Sequence, residues 1–147
     1  ELALACDLRC ASMAASFAVP EVTLGTICGA GGTQRLPRLI GETRAKEMIF
    51  TGREITAETA REWGLVNGVF TAGSLLEETL NLADEIARNS PYAVARAKRS
   101  VNGGREMLLE EALEWERSLF GECGESRDRK EGMTAFLEKR PRVFTGE

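Results

Sequence analysis

Apolar residues fall into two regimes along this chain. Over residues 1–72 they come in short bursts broken by glycine, proline and small polar residues. From Ser74 onward they recur at helical spacing. In the first regime, the good helix formers Leu2 to Ala5 predict a short buried helix over 1–6. Leu8 to Ala11 and Ser16 to Val19 predict two short strands with an out-and-back turn between them. Val22 to Ile27 predicts a third extended run. Gly29 to Gly32 breaks regular structure, and a helix follows over 33–40, ended by Gly41. Arg44 to Phe50 predicts another helix, closed by Gly52. Thr56 is a candidate N-cap for a helix over 57–63, with Gly64 after it. Leu65 to Phe70 predicts a strand.

The second regime predicts four helices. Ser74 and Glu77 have the spacing of a capping box for 75–88, where Leu75, Leu76, Leu80, Leu82, Ile86 and Ala87 follow a helical period. Pro91 suits the first position of a helix over 91–102, ended by Gly103-Gly104. Glu106 to Phe120 is amphipathic. Ser126 or Asp128 caps a last helix that runs to Arg140, where Pro141 stops it. The expected organisation is therefore an α/β part over 1–72 and an all-helical part over 73–147.

Composition narrows the chemistry. At 147 residues, 43% hydrophobic and 29% charged, the chain has the make-up of a globular protein. A net charge of −4 argues against nucleic acid or an anionic membrane as the main partner. No apolar run approaches the roughly 20 residues that span a bilayer. The opening run is too short, and lacks the basic flank, for a signal peptide. Cys6, Cys10, Cys28 and Cys123 form no CxxC pair and have no metal-ligand spacing; they read as reduced, mostly buried thiols of an intracellular protein. There is no histidine, so neither a zinc site nor a Ser-His-Asp or Cys-His nucleophile is expected. Acid–base chemistry then falls first to carboxylates. Glu1 and Glu21 stand out, because each lies among small apolar residues and a glycine cluster follows the second. Such surroundings suit a general acid/base pair. A glycine turn before a helix also lets backbone N–H groups face a ligand.

The same residues carry a family resemblance. Glu1-Leu2-Ala3-Leu4-Ala5-Cys6-Asp7, Pro20-Glu21, and Gly29-Ala30-Gly31-Gly32-Thr33-Gln34-Arg35-Leu36-Pro37-Arg38 resemble the enoyl-CoA hydratase/isomerase (crotonase) family. So do Thr51-Gly52-Arg53, the stretch Ala60 to Val66, and the stretch Arg129 to Arg140. The match runs the whole length of the chain and covers the C-terminal half, or somewhat more, of a family member. It implies the C-terminal part of a crotonase-like ββα spiral core followed by a helical trimerisation region.

The resemblance implies syn addition of water to trans-2-enoyl-CoA thioesters, giving 3-hydroxyacyl-CoA. Glu1 matches the carboxylate that activates water for attack at the β carbon. Glu21 matches the one that delivers a proton to the α carbon, and Gly29 a position whose N–H helps place the water. Phe120 and Phe136 match positions that flank the acyl-CoA, and Lys139 one that meets its phosphates. No metal or redox cofactor is implied, CoA being part of the substrate. The implied assembly is a homo-trimer, or a hexamer built as a dimer of trimers, in the cytoplasm or the mitochondrial matrix. Two other readings stay open: isomerisation or other enolate chemistry with Glu21 dominant, and a non-enzymatic assembly fragment.

Two departures qualify the expectation. The family's oxyanion hole comes from backbone N–H groups upstream of the position of Glu1. This chain is therefore expected to be a fragment, inactive alone, since one such donor is worth about 10²–10³ in rate. Cys28 stands where the family most often has proline, placing an oxidisable thiol near the site.

Overall fold

The computed structural model describes residues 1–147. It divides into two compact units, Glu1–Leu80 and Asn81–Glu147.

The first unit opens with a 3₁₀ turn at Ala3–Ala5. Strands β1 (Cys10–Ser12) and β2 (Ser16–Phe17) follow, then a second 3₁₀ turn at Glu21–Leu24. Next come helices α1 (Gly32–Ile40) and α2 (Glu42–Thr51), strand β3 (Ile55–Thr56), helix α3 (Ala57–Glu62) and strand β4 (Gly68–Phe70). Helix α4 (Leu75–Ala87) contains the boundary between the units. The core is a cluster of small and branched apolar side chains from β1, α1, α2 and α3 and from Val19, Cys28, Leu65 and Val66. Leu36, Ala45, Met48, Ala57 and Ala60 are at its most enclosed positions. Burial of these side chains is the main favourable term for the unit.

Several expectations for this unit are corrected. Residues 1–6 form only a three-residue 3₁₀ turn, and it is not buried: Leu2 is 84% exposed. So short a run cannot repay helix nucleation without packing to support it. β1 and β2 do not pair with each other. β1 runs parallel to β4, with Cys10, Ala11 and Ser12 opposite Gly68, Val69 and Phe70. β2 runs antiparallel to β3, with Ser16 and Phe17 opposite Thr56 and Ile55. After β1 the Met13 N–H continues the β4 ladder by donating to the Phe70 carbonyl at 2.7 Å, and the Ala15 N–H turns the chain onto the Ser12 carbonyl at 2.9 Å. Val22–Ile27 is not extended. The Pro20 carbonyl accepts from both the Thr23 N–H (2.9 Å) and the Thr23 hydroxyl (2.7 Å), and this local turn outcompetes strand propensity. Among the cysteines only Cys28 is buried; Cys6 is exposed, and Cys10 and Cys123 are intermediate. All four are free thiols.

Thr56 caps α3 as expected, its hydroxyl accepting from the Thr59 N–H at 3.2 Å. The start of α4 differs from the expected capping box. The Ser74 hydroxyl lies 2.8 Å from the Thr71 hydroxyl, and the Leu75 N–H donates to the Thr71 carbonyl at 2.9 Å.

In the second unit α5 (Pro91–Gly104) packs on α6 (Leu109–Glu125), and α7 (Arg127–Glu138) follows. Pro91 opens α5 behind the N-cap Ser90. α6 starts later than expected and runs past Phe120 to Glu125, with Gly121 and Gly124 inside it. Burial of Leu119, two residues before Gly121, offsets the weak helix propensity of glycine. Ser126 caps α7, its hydroxyl accepting from the Arg129 N–H, and Lys139 closes the helix in the left-handed conformation. No helix is long and apolar enough to cross a membrane.

Candidate active site

Glu1 is placed by what surrounds the turn it precedes. Arg9 ties that turn to the approach to β4: its Nη1 donates to the Cys6 carbonyl at 2.6 Å and its Nε to the Leu65 carbonyl at 2.7 Å. The Glu1 side chain then reaches the glycine turn before α1. Its Oε1 accepts from the Ala30 N–H at 2.9 Å and from the Gly32 N–H at 2.6 Å. Both bonds land on one oxygen. A carboxylate at a helix N-terminus also meets the favourable end of the helix dipole.

Glycine is required at 32 by the closeness of this contact. A Cβ there would lie 2.9 Å from Glu1 Oε1 and 2.9 Å from Cys28 Sγ. Gly31, the N-cap of α1, has φ 99°, in the left-handed region that favours glycine.

Glu21 comes from the other side. It begins the 3₁₀ turn after Pro20, and its own carbonyl accepts from the Thr26 N–H at 3.2 Å. Its Oε2 takes the Cys28 thiol as donor at 3.7 Å. Cys28 is buried, and burial together with the negative charge of Glu21 raises its thiol above the ordinary range, with a smaller contribution from the charge of Glu1. Thus the two carboxylates, 20 positions apart in sequence, border the same thiol. The chain meets that arrangement through the turn rather than through a hairpin.

Gly29 lies between Cys28 and Ala30 and is exposed. The N–H groups that grip Glu1 belong to Ala30 and Gly32, one and three residues further on. The sequence signal for them is the glycine cluster before a helix, which marks a turn with available N–H groups without saying which ones are used. Phe120 lies on α6 and Phe136 on α7, 72% and 79% exposed, and Lys139 is exposed at the end of α7. All three belong to the second unit.

The arrangement in the first unit offers two carboxylates, one clamped by backbone donors and one hydrogen-bonded to a neutral thiol. That is a constellation for moving protons to and from a small molecule, with water as a natural reactant.

Comparison with known proteins identifies the family. The sequence profile of the family described as enoyl-CoA hydratase/isomerase matches residues 1–147. The chain is 48% identical over 144 residues to the mitochondrial enoyl-CoA hydratase of Pongo abelii, a match covering 98% of this chain and 50% of that protein. It is 45% identical over 140 residues to the short-chain-enoyl-CoA hydratase of Clostridium acetobutylicum, covering 95% and 54%. The crystal structure of enoyl-CoA hydratase from Bacillus anthracis superposes with a TM-score of 0.96 at 46% identity, covering 98% of this chain and 56% of that one. The chain thus spans about half the length of these relatives. With a profile match from end to end and a shared crotonase fold, this chain belongs to the enoyl-CoA hydratase/isomerase family.

Proposed function

We propose that these residues carry the water-handling half of an enoyl-CoA hydratase site, with Glu1 and Glu21 as its acid–base pair. The observation that carries this reading is the convergence of both carboxylates on Cys28 and the Gly29–Gly32 turn. Because the Ala30 and Gly32 N–H groups both take Oε1, Glu1 can present Oε2 to a water. The water oxygen bonds to the β carbon of the trans-2-enoyl thioester as Glu1 takes its proton. Glu21 gives a proton to the α carbon, so water adds to one face of the double bond. Proton transfer from Glu1 to Glu21 restores the starting state. Gly29, beside these groups and open to solvent, is assigned to placing the water through its N–H. The N–H groups that would hold the thioester oxygen belong, by family resemblance, to positions upstream of Glu1.

The reaction so written needs no metal or redox cofactor; CoA enters as part of the substrate. Phe120, Phe136 and Lys139 are assigned to the acyl-CoA, the exposed rings to its apolar parts and the ammonium to its phosphates. The exposed apolar side chains of the helical unit support assembly into a trimer or a hexamer. The compartment is the cytoplasm or, as in the Pongo abelii relative, the mitochondrion.

Hydration of crotonyl-CoA tests the reading, in a polypeptide of full family length that contains these 147 residues. Glu1→Gln and Glu21→Gln should each lower kcat by about 10²-fold or more, the scale of a lost general acid or base. Full hydration by the Glu1→Gln variant would sink the two-glutamate reading. Loss of hydration with double-bond migration retained would favour isomerisation centred on Glu21.

A further inference from the structure

Arg35 makes a contact that the hydration chemistry does not use directly. It stands on the first turn of α1, and its Nη1 donates to the Ala30 carbonyl at 2.7 Å. The Gly31 carbonyl is already engaged by the first turn of the helix, accepting from the Gln34 N–H at 3.1 Å and the Arg35 N–H at 2.8 Å. The Ala30 carbonyl lies outside that ladder, and the guanidinium takes it. The guanidinium also occupies the space over Gly31: a methyl group there would overlap Nη1 and lie 3.0 Å from Cζ.

Three successive peptide groups are involved. The first, Gly29–Ala30, donates its N–H to Glu1. The third, Gly31–Gly32, donates its N–H to the same Glu1 oxygen. The middle one, Ala30–Gly31, is the one Arg35 grips by its oxygen. Fixing the middle peptide plane fixes the relative direction of the two that flank it, since only the dihedrals at Ala30 and Gly31 connect them. Gly31 is free of a Cβ and would otherwise move easily.

We propose that Arg35 is a positioning residue for Glu1: it locks the glycine turn so that the Ala30 and Gly32 N–H groups converge on one carboxylate oxygen and leave the other aimed at water. This rests on the reading of Glu1 as the water-activating carboxylate. Its physical half, the grip on the turn, stands apart from that reading. Arg35 acts through the backbone and touches no reacting atom.

The test has two arms. In the 147-residue chain, amide hydrogen exchange is followed at Ala30 and Gly32, with the Thr145 and Gly146 amides of the second unit as controls. Arg35→Ala should speed exchange at Ala30 and Gly32 by about tenfold or more and leave the controls unchanged. Arg35→Lys should recover part of the protection, since an ammonium can donate to the same carbonyl without the planar fork. In the full-length polypeptide, Arg35→Ala should lower kcat for crotonyl-CoA by about tenfold to a hundredfold with KM within about twofold.

Gly31→Ala keeps the arginine but expels it from its seat. It also strains the backbone at φ 99°, so it should speed exchange at Ala30 and Gly32 at least as much as Arg35→Ala does. Unchanged exchange at Ala30 and Gly32 in Arg35→Ala would overturn the grip. Faster exchange with an unchanged kcat, while Glu1→Gln lowers kcat as expected, would overturn the positioning role. If Glu1→Gln itself leaves hydration intact, the functional reading has failed, and the exchange arm still judges the grip.

Discussion

The two units keep their interiors by different means. In the first, twelve buried apolar residues between Ala11 and Val66 form one cluster, and no polar side chain is buried. In the second, Leu119 and Ala135 are the only buried apolar residues, while Ser90, Ser126 and Asp128 are buried with them. Asp128 is a hub there. It accepts from the Ser90 hydroxyl at 2.6 Å, from the Thr145 N–H at 2.8 Å and from the Gly146 N–H at 3.2 Å. One unit is held mainly by volume filled, the other mainly by directed hydrogen bonds around a carboxylate. Cavities should therefore hurt the first unit most, and loss of a single polar partner the second.

Leu36→Ala should have the largest effect. Leu36 is 1% exposed at the centre of the first cluster, so its loss leaves a cavity that rigid neighbours cannot close, costing about 3–5 kcal/mol. Leu119→Ala, at 2% exposure with little apolar company, should cost about 2 kcal/mol, because its surroundings can relax. The two tryptophans separate the readouts: Trp63 reports the first unit and Trp115 the second, each in a background with the other changed to Phe. Denaturant titration checks the pair. Equal costs would break the comparison.

Asp128→Ala should come next. It removes the acceptor that joins the start of α5 to the C-terminal tail, so Ser90, Thr145 and Gly146 lose their partner together. A fall of about 5–10 °C in the Trp115 melting midpoint is expected, with the Trp63 transition unmoved. Acid should do the same reversibly. Burial would raise the Asp128 carboxyl, but the hydrogen bonds from Ser90, Thr145 and Gly146 outweigh it and hold it below the ordinary range. Glu131 is pushed down to about 2, mainly by Arg140, whose Nη1 and Nη2 donate to Oε1 and Oε2 at 2.6 and 2.8 Å, and also by the Val143 N–H. For carboxyls lowered in the fold, the stabilisation is complete above their unfolded pKa of about 4 and is lost as pH falls through the folded value. The Val143 amide should therefore change chemical shift between about pH 4 and about pH 2, and the Thr145 and Gly146 amides as pH falls below about 4. An unmoved tail through that range would show that these carboxylates do not hold it.

This contrast also explains what could be read from the sequence. Helical periods, the caps at Thr56 and Ser126, the Pro91 start of α5 and the breaks at Gly41 and Gly52 were legible, because each depends on a few adjacent residues. The pairing of β1 with β4, 58 positions apart, was not: strands of two or three residues carry too little pattern to name a partner. The 3₁₀ turn at Glu21 was hidden because Thr23 and Val22 have strand propensity, and the bonds to the Pro20, Glu21 and Val22 carbonyls reverse it. Glu1 and Glu21 were legible as candidates through family resemblance and small-residue context. That they would meet around a buried thiol, with Ala30 and Gly32 as the donors, depends on where α1 begins. The Asp128 hub was half legible, since Asp128 reads as a capping residue while its partners at Thr145 and Gly146 lie in a tail without periodicity.

Cys28 offers the smallest effect and the sharpest check on the first unit. Its thiol is raised by burial first and by Glu21 next, so at pH 8 it should react with iodoacetamide more slowly than exposed Cys6. The sign of the linkage follows: the fold favours the neutral thiol, so this contribution to stability is intact below the unfolded thiol pKa of about 8.5 and fades as pH rises through the raised value. Removing the Glu21 charge should lower the thiol pKa without opening the cluster. Glu21→Gln should then speed Cys28 alkylation several-fold at pH 8, and Glu1→Gln by less, in the order of their electrostatic contributions. Peptide mass spectrometry reads each cysteine separately. Equal rates in all three proteins would mean that burial alone protects the thiol and that neither carboxylate faces it. Faster alkylation in Leu36→Ala but not in Glu21→Gln would place the protection in the packing. Faster alkylation in Glu21→Gln at an unchanged Trp63 midpoint would place it in the charge, showing that a unit built on volume still holds a local electrostatic site.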